Sequence, residues 1–135
     1  MRVFVDTSAL LAVLDADDAS HPRADASWRG LLASEHSLTT TSYVLVETFA
    51  LAQHRLGLEA ARTLHQDVLP ALDVVWVGAD IHAAAATALL TAGRRRLSLV
   101  DCVSFEVMRR GGIRQAFAFD RHFAEQGFEA YRHVR

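Results

Sequence analysis

A chain of 135 residues, 51% of them hydrophobic, has the apolar material for one sizeable core, which excludes disorder, and is too short for two; residues 1–135 are expected to form one domain. No apolar run approaches the ~20 residues that span a bilayer, Asp6 interrupts the place where a secretory signal would run apolar, and a lone cysteine, Cys102, cannot form an internal disulfide, so a cytoplasmic protein with no membrane attachment is expected. The net charge of −2 points to no polyanion on its own, but it is unevenly spread, with 5 Arg against 11 acids up to Gly93 and 9 Arg against 5 acids from Arg94 onward.

Val3, Phe4 and Val5 read as a strand buried on both faces, as in a parallel sheet. It stops at Asp6, and a helix is expected from about Ser8 to Leu14, followed by the polar turn Asp15–Asp18. Ser20 and Pro22 open a second helix with Trp28, Leu31 and Leu32 as its apolar stripe, and Ser37–Thr41 is β-branched enough for a second strand. Thr41 or Ser42 caps a third helix, Tyr43–Leu56, which Gly57 can close in the left-handed conformation; a fourth runs from Leu58 to about Leu69, stopped near Pro70. Asp73–Val77 is a third strand, Asp80 opens an alanine-rich helix ending at Gly93, and Ser98 caps a helix from Leu99 to Arg110 that Gly111 and Gly112 terminate. Gln115–Phe119 is a fourth strand broken by Asp120–Phe123, and Glu129–Tyr131 a candidate fifth. This alternation implies an α/β fold with a central parallel sheet of four to five strands flanked by helices.

In such a sheet, ligands sit beyond the carboxyl ends of the strands, where Asp6 and Asp120 both fall. Each also has a purely structural explanation as a helix or turn cap. Glu47 is harder to account for that way, since its neighbours one turn off are Tyr43, Val44, Ala50 and Leu51 and its own helix offers no cation in reach. Asp101 lies three residues after Ser98, which fits a capping box, yet most of Leu97–Met108 is apolar and Ser104 shares the face of Asp101. His122 reads as a surface residue, with a catalytic role as the lesser reading. Four acids gathered without basic partners repel one another and raise some of their pKa values unless a divalent cation sits among them. Oxygen ligands suit Mg2+ or Mn2+, and no Cys/His spacing for zinc is present. The first strand leads into no glycine-rich phosphate loop, the chain has no lysine for a phospho-receiver pocket, and Ser8 stands where a haloacid-dehalogenase-type phosphatase needs a second aspartate.

Val5–Leu10, Val46–Glu47, Leu97–Cys102 and Phe119–Phe123, taken as an ordered set over the whole chain, resemble the PIN-domain family, and more closely its VapC-type toxin ribonucleases. The resemblance implies a Rossmann-like three-layer sandwich and a metal-dependent endoribonuclease in which Asp6, Glu47, Asp101 and Asp120 hold one or two Mg2+ or Mn2+ ions. It also implies that Thr7, Ser8 and Ser104 orient carboxylates or water, and that cleavage leaves a 5′-phosphate and a 3′-hydroxyl. Arg94, Arg95, Arg96 and Arg121 are candidates for gripping the RNA backbone. The implied partners are the RNA substrate, a second copy of the chain in a homodimer, and a small VapB-like antitoxin. A PIN nuclease of RNA processing or DNA metabolism, and a metal-free interaction module on the same fold, are the alternatives; the four intact acids argue against the second.

Overall fold

The first strand forms as expected: β1 (Arg2–Val5) is buried on both faces after Arg2 and lies at the centre of the sheet. The structure, a computed structural model, describes residues 1–132; the last three residues of the expected domain lie outside that range. After β1 come α1 (Thr7–Leu14), α2 (His21–Ala33), β2 (Ser37–Thr41), α3 (Ser42–Leu56) and α4 (Leu58–Thr63). They are followed by β3 (Asp73–Val75), α5 (Ala79–Ala92), α6 (Leu99–Gly111), β4 (Gln115–Phe117), α7 (His122–Glu125) and β5 (Glu129–Ala130).

All strand pairs are parallel, in the order β3-β2-β1-β4-β5. The chain builds outward from β1 through β2 to β3, then returns to place β4 on the other side of β1. The connections leaving β1 and β4 therefore diverge, and the crevice between them is the switch point where open α/β sheets hold ligands. β2 is unusual for an inner strand in burying three threonines. Their hydroxyls are used: Thr40 Oγ1 donates to the Val5 carbonyl at 2.8 Å, and Thr41 Oγ1 accepts from the Val44 N–H at 3.1 Å, so Thr41 rather than Ser42 caps α3.

Several boundaries differ from expectation. Leu32 is 52% exposed, because Ala24, Trp28 and Leu31 already fill the buried face of α2 and Leu32 sits about 100° round from Leu31. Gly57 has φ 97° and ψ 178°, a glycine-only extended conformation outside the left-handed helical region, which turns the chain sharply between α3 and α4. The expected fourth helix is regular only to Thr63, then widens to a π turn (Leu64–Val68) and tightens to a 3-10 turn (Leu69–Ala71). Pro70 explains this, since its ring crowds the carbonyl four residues back and it has no N–H for the ladder. α5 starts at Ala79 with Gly78 as its cap, one residue ahead of Asp80. β3 stops at Val75, because the Val77 N–H turns to Ser42 Oγ at 3.0 Å. β4 stops at Phe117, because the Phe119 N–H leaves the ladder for Ser8 Oγ at 2.9 Å. Cys102 lies in the core, and burial pushes its thiol up.

Candidate active site

Asp6 ends β1 and caps α1; its Oδ2 accepts from the Ser8 N–H at 3.1 Å and the Ser8 hydroxyl at 2.7 Å. Since Ser8 Oγ also accepts from the Phe119 N–H, one hydroxyl links the strand-end acid of β1 to the segment carrying Asp120. The carboxyl of Asp6 is only 4% exposed, and its pKa is pushed from an ordinary 3.8 up to about 6. Burial is the main cause; the bonds from Ser8 oppose it, and the charges of Asp101 and Asp120 add a smaller upward push.

Asp101 sits in the first turn of α6, where the expected capping box is complete: the Ser98 N–H donates to Asp101 Oδ2 at 3.2 Å and the Asp101 N–H to Ser98 Oγ at 3.0 Å. Its pKa is also raised, chiefly by burial, with Asp120 adding repulsion. Asp120 follows β4, and its Oδ1 accepts from the His122 N–H at 2.9 Å. Asp101, Asp120 and His122 each bring a ligand-type atom within 4.8 Å of the other two, the one such metal-competent group among the described residues. A buried and a half-buried carboxylate that repel, with an imidazole beside them, have the donor chemistry a divalent cation needs.

The cap roles and the cluster thus coexist: each of the three aspartates spends one oxygen on local backbone. Asp6 joins the group through charge coupling to Asp101 and Asp120. Glu47 is half-buried in the second turn of α3 and belongs neither to the compact group nor to the charges acting on Asp6. Its neighbour Thr48 donates to Thr7 Oγ1 at 3.0 Å, which fastens α3 to the start of α1.

Two supporting residues are otherwise engaged. Ser104 Oγ donates to the Val100 carbonyl at 3.0 Å instead of reaching Asp101, and Thr7 bridges to Thr48 and the Val44 carbonyl instead of orienting a carboxylate. Ser8 does hold a carboxylate, that of Asp6. His122, set aside as a surface residue, is mostly enclosed, with Nε2 3.7 Å from Asp120 Oδ1 and Nδ1 3.3 Å from Glu125 Oε1. The sequence signal for it was a histidine two residues after a strand-end aspartate, in a turn too tight to separate them.

A cleft of about 390 Å³ opens beside the cluster, lined by Arg94, Arg96, Asp120, Arg121 and His122. Three of the four expected backbone-gripping arginines therefore reach the acids' side of the molecule, although Arg94 is also paired with Glu125 at 3.1 Å. Arg95 is exposed but does not line this cleft. From behind, Phe123 anchors the Asp120 turn in an aromatic cluster, with ring centres 5.1 Å from Phe105 and 6.1 Å from Phe4. Phe123→Leu keeps most of the volume and loses the edge-to-face contact, so it is expected to cost about 1 kcal/mol; a fall in the urea midpoint at unchanged slope measures it.

The chain matches the PIN domain over residues 3–129. The chain belongs to the PIN-domain family. This PIN domain is 39% identical over 128 residues to the 23S rRNA-specific endonuclease VapC20 of Mycobacterium tuberculosis strain H37Rv, covering 93% of the chain and 95% of the relative. The crystal structure of M. tuberculosis VapC20, described as a sarcin-ricin loop cleaving toxin, superimposes with a TM-score of 0.87 at 36% identity, over 97% of this chain and 99% of that one. The crystal structure of FitAcB from Neisseria gonorrhoeae shares the fold, with a TM-score of 0.68 at 16% identity over 98% and 97% of the two chains. Within the PIN-domain family the chain is thus a homologue of VapC-type toxin endoribonucleases, as the ordered motifs implied.

Proposed function

We propose that this PIN domain is the toxin of a type II toxin–antitoxin pair and cuts ribosomal RNA with Mg2+ or Mn2+ as cofactor. The observation that carries the reading is the cluster of mutually repelling aspartates, two of them buried, at the switch point of the sheet, in a chain 39% identical to an rRNA-specific endonuclease. Asp101 and Asp120, with His122 in the same compact group, would hold the cation together with Asp6, and Glu47 stands outside that group. Such an ion supplies an acidified water and offsets the charge that builds on the attacked phosphate.

The chain's own residues prepare that step. Ser8 fixes the carboxylate of Asp6, the capping box fixes that of Asp101, and the turn before α7 fixes that of Asp120, so little reorganisation accompanies substrate binding. Arg94, Arg96 and Arg121 draw the RNA backbone to the same cleft, and exposed Arg95 supplements them from outside it. In the overall reaction a water oxygen bonds to phosphorus, the bond to the 3′-oxygen breaks, and the departing oxygen takes a proton, leaving a 5′-phosphate and a 3′-hydroxyl. Exposed apolar side chains, Val46, Phe49, Leu58 and Trp76, support protein partners: a small VapB-like antitoxin and a second copy of the chain. No helix among the described residues is long and apolar enough to cross a membrane, and we place the protein in the cytoplasm.

The test is incubation with intact bacterial ribosomes and with purified 23S, 16S and transfer RNA in Mg2+, Mn2+ or EDTA, with 5′ and 3′ end mapping. A single metal-dependent cut in 23S rRNA with a 5′-phosphate is expected. Cleavage that persists in EDTA would remove the metal from the mechanism, and cutting confined to transfer RNA would overturn the ribosomal substrate.

A further inference from the structure

A second cleft, about 310 Å³, lies on the other side of Phe119 from the acid cluster, between α2 and the carboxyl ends of β4 and β5. Its walls are unlike those of the first. Arg23 and Ser27 come from α2, Phe119 forms the ridge between the two clefts, and Tyr131 and Arg132 close the far side. Among the described residues no carboxylate lines it, which sets it apart from the acid cluster.

The side chains in it are of the kinds that recognise a nucleotide. The Arg23 guanidinium lies 5.3 Å from the centre of the Phe119 ring, and among the described residues it is paired with no carboxylate. By contrast, Arg29, Arg94 and Arg110 are committed to Asp25, Glu125 and to Asp80 with Glu106. Tyr131 is set edge-on to Phe117 at 6.5 Å, and its N–H bonds to the Ala116 carbonyl at 2.8 Å, so this aromatic wall is fixed to the sheet. Two guanidinium groups with two anchored aromatic rings combine phosphate attraction with stacking faces. Phe119 is also tied to the catalytic edge, its N–H bonding the same Ser8 hydroxyl that holds Asp6.

We infer that this cleft is a positioning subsite for an unpaired nucleotide flanking the scissile phosphate, its base against Phe119 and Tyr131 and its phosphate at Arg23 and Arg132. The inference rests on the nuclease reading for what happens at the neighbouring acids, but RNA binding in the cleft needs no metal. A strand whose phosphate is at Asp120 passes over Phe119 to reach it, so the cleft selects substrates in which a base beside the cut is splayed out of a helix.

The test uses a fluorescent RNA stem-loop with 4-thiouridine placed singly at each loop position, and the full chain in EDTA so that no cutting occurs. Arg23 is exposed, so Arg23→Ala and Arg23→Glu are expected to fold normally, with Arg23→Ala weakening anisotropy-measured binding about tenfold and Arg23→Glu more. Arg23→Ala should also flatten the log-log salt slope by about one. Phe119→Leu keeps bulk without a π face and should weaken binding by a similar factor. Ultraviolet cross-links from one loop position should map to Phe119 or Tyr131. In Mn2+, Arg23→Ala should raise KM with little change in kcat. Unchanged binding and salt slope in both Arg23 variants, absence of RNA binding by the native chain, or cross-links confined to the Arg94–Arg121 side would overturn the subsite. Binding that depends on Arg23 in a protein that never cuts RNA would instead keep the subsite and refute the nuclease reading.

Discussion

Asp101→Asn is expected to lower RNA cleavage by roughly three orders of magnitude while leaving the fold in place. The substitution is nearly isosteric, and the amide oxygen can still accept from the Ser98 N–H that now meets Asp101 Oδ2, so the N-terminal cap of α6 survives. What is lost is one negative charge in the first turn of a buried helix, at the point where Asp120 and His122 converge. A cation held by several carboxylates loses much of its attraction when one becomes neutral, because the remaining donors cannot move closer from their caps.

The comparison with Asp101→Ala separates the two roles of this residue. Alanine removes the charge and the reciprocal half of the capping box, leaving Ser98 as the N-cap, and the lost bond from the Ser98 N–H costs about 1 kcal/mol. At neutral pH in EDTA the asparagine variant, with no charge to bury, should melt at or above the native temperature with its activity gone, and the alanine variant should melt below the asparagine variant with the same activity loss. Initial rates on a stem-loop RNA at saturating Mn2+, with melting curves in EDTA, measure both. Cleavage by Asp101→Asn within tenfold of native would reduce Asp101 to a capping residue.

The sequence carried the frame of this site because its acids sit at positions local rules specify. Asp6 and Asp120 each follow a β-branched or aromatic run, and such runs at parallel-sheet spacing put their ends on one edge. Asp101 stood out as a carboxylate in the first turn of a mostly apolar helix, and the capping box that offered a purely structural explanation is confined to four consecutive residues. What local rules could not reach was anything set by contacts between distant elements. Ser104 lies one helical turn from Asp101, but the nearer Val100 carbonyl takes its hydroxyl. Thr7 stands beside Asp6 in sequence, but the α1–α3 packing claims its side chain. His122 looks polar and exposed in a string of letters, and becomes enclosed only because Phe123 pulls the turn onto Phe4 and Phe105. Repulsion among the acids was the expected source of their raised pKa values; burial is the larger cause, because β1 delivers Asp6 into the interior before any other acid arrives. The arginine clusters tell the same story, since Arg94–Arg96 stand out as a run while Arg23 is one isolated cation in a helix until Phe119 is folded against it.

The metal-free protein should lose stability as the pH rises from about 4 to 7, and Asp6 should account for most of the loss. In the folded state this carboxyl has its pKa raised to about 6, against an ordinary 3.8, so between those values the folded chain binds more protons than the unfolded one. Stability therefore falls with increasing pH: the favourable contribution is complete below pH 4 and gone once the folded-state carboxyl has ionised above pH 6. The loss amounts to roughly 3 kcal/mol at full ionisation. Asp101, also raised, acts in the same direction. In Asp6→Asn the amide can still accept from the Ser8 N–H and hydroxyl and carries no charge to bury, so its stability should fall much less over the same interval, leaving the part due to Asp101. At pH 7.5 in EDTA the variant should thus exceed the native chain by 2–3 kcal/mol, about 10 °C in Tm. Mg2+ or Mn2+ should close that gap, because a ligand at a hundred times its Kd returns about 2.7 kcal/mol to the native protein and little to a variant whose site lacks an anion. Urea unfolding at pH 4.5 and 7.5, with EDTA or excess Mn2+, supplies the four conditions needed. A native stability that rises from pH 4.5 to 7.5 in EDTA would contradict the buried, proton-retaining Asp6. An Mn2+ response equal in the native chain and the variant would separate Asp6 from the metal.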